Sequence, residues 1–140
     1  MINKCKKILT EISPGELLDK ISNLEIKLKQ IKDKNSLEEV KKEYKILKET
    51  QNSSVKLTGR IKELFDSIKE VNLVLWRIED DVRLCEKNKD FGKNFIEFAR
   101  AIYFNNEKRS DIKSEINKTL GSNINEVKPV SYTHLRAHET

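Results

Sequence analysis

Residues 57–86, LTGRIKELFDSIKEVNLVLWRIEDDVRLCE, set the architecture of this chain. Within them Leu57, Ile61, Leu64, Ile68, Val71, Leu75, Ile78, Val82 and Cys85 recur in alternating steps of four and three, which places one apolar seam on one long helix. At 1.5 Å of rise per residue the seam is about 42 Å long, against a diameter of roughly 36 Å for a compact domain of this size, so the other elements are expected to pack along it. Phe65, Leu73 and Trp76 lie off the strict seam and widen the apolar face beyond what a two-stranded coil needs. The expected fold class is all-α, a helical bundle with coiled-coil-like packing.

Toward the N-terminus, Ser13-Pro14-Gly15-Glu16 is a helix start: Ser13 caps free amides, Pro14 needs no hydrogen bond at the first position, and Glu16 completes a capping box. The helix runs to about Asp33 on a seam of Leu17, Ile21, Leu24, Leu28 and Ile31, with Leu18 and Ile26 beside it. A short polar break over Asp33–Ser36, with Asn35 or Ser36 as the next cap, predicts an antiparallel hairpin with a second helix carrying Leu37, Val40, Tyr44 and Leu47. That helix loses phase between Gln51 and Val55, where the chain should break before the long helix. Ile8, Thr10 and Ile12 alternate with neighbours read as polar or less buried, so residues 1–12 are expected to form a short extended arm.

Toward the C-terminus, Asn88 to Gly92 ends the long helix, and Phe91, Phe95, Phe98 and Ile102, with Ala99 and Tyr103, give a fourth apolar face. Asn105-Asn106 is expected to interrupt it before a last helix with Ile112, Ile116 and Leu120, closed by Gly121 as a left-handed cap. The sum is a helical hairpin, one long spine helix and two shorter C-terminal helices, in a single domain over residues 1–129.

Val130 to Thr140, VSYTHLRAHET, looks like one reading frame of a transposase sequencing adapter, so it is set aside as a non-native tail and the natural sequence is expected to be cut near Pro129. The tail holds both histidines, His134 and His138. The rest of the chain therefore has no imidazole for acid-base, nucleophilic or metal chemistry.

The 140 residues are 36% charged and 36% hydrophobic, as expected of one globular domain. The net charge of +5 is dispersed, lysines alternating with glutamates, so no basic stripe points to a specific nucleic-acid partner. Cys5 and Cys85 make no disulfide framework, and no segment approaches the ~20 apolar residues of a membrane span. These features read as a cytoplasmic, reduced protein. There is no GxGxxG, GxxxxGK, paired CxxC or HExxH, which argues against nucleotide hydrolysis and zinc chemistry; no cofactor and no metal site is expected.

Two polar series border the apolar faces. Asn72, Trp76, Glu79, Arg83 and Glu86 run one residue beyond the long seam, and Arg100, Tyr103, Asn106, Arg109, Lys113 and Asn117 run along the later helices. The candidate ligand-binding residues are Glu79, Arg83, Arg100, Tyr103, Asn106, Arg109 and Lys113, with Glu79 and Arg83 facing Arg100, Arg109 and Lys113 across one shared pocket. An excess of cations there would suit an anion, and Arg109→Gln or Lys113→Gln should then melt no lower than the parent. The competing reading is a closed salt-bridge network.

The stretches SPGELLDKISNLEIK, VNLVLWRIEDDVRLCE and FIEFARAIYFNNEKRSDIKSEIN, followed by GSNINEVK, cover most of residues 11–128. Through them the chain resembles a family of small helical bacterial proteins of unassigned function, represented in marine bacteria. The resemblance implies an association with surface-polysaccharide or glycosyltransferase genes and carries no catalytic residue across. Because seams, caps and charge pairs all serve packing, the expected function is a non-enzymatic scaffold or interaction protein, with a protein partner or a homo-oligomer. The alternative is a small all-α binding protein or enzyme for an anionic metabolite such as a sugar phosphate.

Overall fold

In the computed structural model, which describes residues 4–128, the chain forms four helices: α1 (Pro14–Gln30), α2 (Lys34–Ser54), α3 (Gly59–Lys87) and α4 (Lys93–Thr119). The protein is all-α among its described residues, and none of these helices is long and apolar enough to cross a membrane. The adapter-like tail lies outside the described residues. Residues 4–13 have neither helix nor strand; Ile8 and Leu9 are exposed, and Ile12 packs against the core.

Local chemistry places the helix ends. The Ser13 hydroxyl accepts from the Glu16 amide at 3.1 Å and Pro14 occupies the first turn, a cap worth about 1 kcal/mol. Glu16 does not return to the Ser13 amide as a capping box would require; its carboxylate turns to Lys20 and Lys113. α2 is capped by Asp33, whose carboxylate accepts from the Ser36 amide at 2.9 Å, rather than by Asn35 or Ser36. Hydrogen bonding with the Ser36 side chain, and then with its amide, holds the Asp33 carboxyl below its ordinary pKa. The chain breaks after Ser54, and the Gln51 side chain donates from Nε2 to the Val55 carbonyl at 2.6 Å.

α3 spans 29 residues, and the seam positions Ile61, Leu64, Ile68, Leu75 and Cys85 are buried. The two shorter C-terminal helices are instead one, since α4 runs unbroken for 27 residues through Asn105-Asn106. Asn105 turns its amide onto the Ala101 carbonyl one turn back, at 2.8 Å, so its side chain follows the helix instead of competing with it. Burial against α3 then outweighs weak asparagine propensity. Gly121, at φ +62°, ends α4; the Gly121 amide donates to Lys118 O and the Ser122 amide to Asn117 O, the expected left-handed cap.

α1, not α3, is the hub. It pairs with α2, α3 and α4, while α2 makes no helix pair except with α1. Such a helix has to be buried on several sides, and α1 is: Gly15, Leu17, Leu18, Asp19, Ile21, Ser22, Leu24 and Ile26 are all buried. The core joins Leu17, Leu18 and Ile21 to Ile61, Leu64 and Phe65 of α3, Ile116 of α4, and Val55. Each such aliphatic or aromatic side chain contributes roughly 1.5–3 kcal/mol on burial.

Candidate functional site

Gly15, Asp19, Ser22 and Ile26 follow one another on α1 in steps of four, three and four, a second seam whose first three members are small or polar. It faces α3 and α4. Gly15 lets α4 approach: an added Cβ would stand 2.6 Å from the Lys113 carbonyl oxygen and 2.7 Å from Asn117 Oδ1. In that contact the Gly15 amide donates to Asn117 Oδ1 at 2.7 Å across two helices. The first free amides of α1 are thus taken by Asn117 and Ser13, which leaves its N-terminus no donors for a phosphate.

One turn on, Asp19 is 1% exposed and carries the densest polar cluster among the described residues. Arg109 of α4 donates from Nε to both carboxylate oxygens, at 3.0 and 3.1 Å, and from Nη2 to Oδ2 at 2.7 Å. Asn72 of α3 donates to Asp19 Oδ1 and to the Ser22 hydroxyl, each at 2.8 Å, while that hydroxyl donates to the Asp19 carbonyl. Lys113 completes the group: its ammonium lies 2.6 Å from Glu16, 3.0 Å from Glu126 and 3.9 Å from Asp19. One buried carboxylate therefore ties α1 to both α3 and α4.

The electrostatics favour the ionised forms of the cations. The hydrogen bonds to Asp19 raise the Arg109 pKa above its ordinary value, against the opposing effect of burial. For Lys113 burial acts downward, but hydrogen bonds to Glu16 and Glu126 outweigh it and the pKa is raised. Arg109 and Lys113 meet three carboxylates, and Lys20 lies 3.8 Å from one of them, Glu16, so the cluster holds no excess of positive charge. The excess of positive charge expected from the sequence is cancelled, because Asp19, Glu16 and Glu126 were not expected there.

Of the residues singled out in the sequence, the structure brings together Asn106, Arg109 and Lys113, with Arg109 Nη1 3.4 Å from Asn106 Oδ1. They line a depression of about 230 Å³ with Ser110 and Glu126. Glu79, Arg83, Arg100 and Tyr103 are elsewhere. Glu79 is exposed, Arg83 is exposed and pairs with Asp80 at 2.6 Å, and Arg100 and Tyr103 stand with Phe104 on the outer side of α4. The shared pocket does not form, for a geometric reason. With α4 unbroken, Arg100 and Arg109 are nine residues apart, about 14 Å of rise and half a turn of rotation, and so lie on opposite sides of one helix.

Asp19, Gly15 and Ser22 were legible only as that second seam on α1, and Glu126 had no signal of its own. It arrives because residues 122–128 fold back along α4, where Lys128 pairs with Glu107 at 2.9 Å and Asp111 at 2.8 Å. These paired carboxylates raise the Lys128 pKa.

Fold and cluster together define a small all-α protein whose hub helix is clasped to its neighbours by buried polar and ionic contacts. The chain belongs to a family of unknown function, DUF6165, whose model matches residues 8–134. No curated protein and no solved structure matches it.

Proposed function

We propose that this protein is a non-enzymatic helical scaffold, a module whose work is to present helix surfaces to a protein partner. The observation that carries this reading is the engagement of Arg109 and Lys113, the cations best placed for an anionic ligand, with carboxylates of the protein itself. The depression beside them, about 230 Å³, is below the roughly 300–1,000 Å³ of ligand pockets. Among the larger depressions, one of about 440 Å³ at the end of α4 sets Lys118 against Glu126. One of about 320 Å³ beside the start of α1 has Glu11 as its only ionisable lining residue, and one of about 510 Å³ between α3 and α4 sets Glu70 and Asp111 against Lys108. The resemblance to proteins associated with surface-polysaccharide or glycosyltransferase genes supplies a setting for such a scaffold.

The alternative, a binding protein or enzyme for an anionic metabolite, is favoured by one observation. Glu126 sits on Lys113 from a segment beyond α4, so a free carboxylate or phosphate could take its place. A thermal-shift screen of sugar phosphates, nucleotides and carboxylates separates the two, since a ligand at 100 times its dissociation constant adds about 2.7 kcal/mol. The scaffold reading expects no hit; a stabilising anion whose effect is lost in Lys113→Gln would establish the alternative.

A further inference from the structure

In its N-terminal half the outer side of α4 carries an apolar surface with no cover among the described residues. Ile96 is 55%, Tyr103 48% and Phe104 51% exposed. With Phe95, Ala99 and Arg100 they line a mostly apolar depression of about 300 Å³. At about 100° per residue, Ile96, Ala99, Arg100 and Tyr103 lie within one 100° sector, away from Phe98, Ile102 and Ile112, which are partly buried toward α3. Tyr103 meets Phe104 edge-to-face at 5.4 Å, and the Arg100 guanidinium lies 5.8 Å above the Phe104 ring. Arg with aromatics on a helix face is the composition of an interface core.

We propose that this face pairs with a second copy of the chain, α4 against α4 in antiparallel register about a two-fold axis between Ala99 and Arg100. The proposal rests on the interaction-protein reading above and names the partner. Three observations select that occupant and orientation. First, the six lining residues are spaced evenly about that centre, so that in antiparallel register Phe95 lies level with Phe104 of the second copy, Ile96 with Tyr103 and Ala99 with Arg100, and the same patch serves both copies as in an isologous interface.

Second, from Glu107 onward the outer side of α4 is occupied by its own returning segment, through the Lys128 pairs with Glu107 and Asp111. The open stretch is therefore 93–106, whose midpoint falls between Ala99 and Arg100. Antiparallel pairing uses all of that stretch and sets Lys93 beside Glu107 of the second copy at each end, whereas parallel pairing would press the two returning segments together. Ala99 at the centre lets the helix backbones approach.

Third, the area suffices. Half-exposed Ile96, Tyr103 and Phe104, with Phe95, Ala99 and the Arg100 stem, present about 400 Å² of apolar surface per copy, counting about 100 Å² for each large side chain. Two copies give about 800 Å², which matches the apolar share of an interface of about 1,400 Å².

The test is sedimentation equilibrium on the full chain, with Ile96→Glu/Tyr103→Glu as the disrupting variant and Ile46→Glu, on the exposed side of α2, as the control. Both changes are at exposed positions, and circular dichroism verifies that the helices persist. The expected result is a species of twice the 16.4 kDa chain mass with a micromolar-order dissociation constant, weakened at least about 100-fold by the double change and unaffected by Ile46→Glu. In a Cys5→Ser background, Ala99→Cys should form an intermolecular disulfide and Ile96→Cys should not. A chain that stays monomeric, a dimer that survives the double change, or disulfides at Ile96→Cys in place of Ala99→Cys would each overturn the proposal. So would a monomeric full chain that dimerises once residues 130–140 are removed, which would make the tail the occupant. None of these results touches the scaffold reading, which stands or falls on the metabolite screen.

Discussion

Arg109 holds Asp19 by three hydrogen bonds of 2.7–3.1 Å, joining helices 90 residues apart in sequence around a carboxylate with 1% exposure. A buried charge with its partners present is tolerated; one stripped of them is not. The clasp therefore turns the α1–α4 contact into an all-or-none feature.

Arg109→Gln should lower stability by about 3 kcal/mol, because Asp19 keeps only Asn72 and a distant Lys113, and Lys113→Gln by about 1–3 kcal/mol. This is the opposite of what a cationic ligand pocket predicts. Urea unfolding of the two variants checks it, and equal or higher stability in both would restore the pocket.

Gly15→Ala should destabilise by about 1–3 kcal/mol, although alanine is ordinarily the better helix former, because the new methyl meets the Lys113 backbone and cannot be cleared by a rotamer change. Thermal melting distinguishes the cases. A rise in melting temperature would mean that α1 and α4 are less closely apposed.

The contrast between α1 and α4 shows what the sequence made legible. Apolar periodicity located the α1 seam, the long α3 and the Gly121 cap, because burial and left-handed backbone leave local marks. The continuity of α4 was not legible at Asn105-Asn106, since a tertiary contact with α3 overrides local preference there. Nor was the clasp: Asp19 looks like any surface carboxylate until Gly15 brings α4 close enough to bury it. Arg109 and Lys113 were picked out as neighbours on one helix face, but their partners come from distant sequence that no spacing rule connects.

Alkaline pH should weaken the fold through Lys113 and Tyr44. Tyr44 is raised above its ordinary pKa by burial and by its hydrogen bond to Glu25, and Lys113 by Glu16 and Glu126 in spite of burial. Both favour the protonated form when folded. Their contribution is full below the unfolded values, near 10 for tyrosine and 10.4 for lysine, and is lost as pH rises through the raised folded values. Stability measured from pH 9 to 12 should fall above about pH 10, less steeply in a Tyr44→Phe/Lys113→Met variant. An unchanged slope in that variant would contradict the assignment.

Removal of residues 130–140 should leave stability within about 0.5 kcal/mol of the full chain, since the tail reads as foreign sequence and the apolar seams all lie before it. Calorimetry of the two lengths is the check. The family match runs to residue 134, so the foreign origin of the tail rests on its own sequence, and a clear loss of stability on truncation would count against it.

A double-mutant cycle on Asp19→Asn and Arg109→Gln, read by urea unfolding, probes the clasp itself. If the pair is a structural tie, each single change leaves a buried or half-buried charge unmatched and the double change relieves both, giving a coupling energy of at least about 1.5 kcal/mol. Additivity within about 0.5 kcal/mol would show that Asp19 and Arg109 act independently, and the clasp would be contradicted.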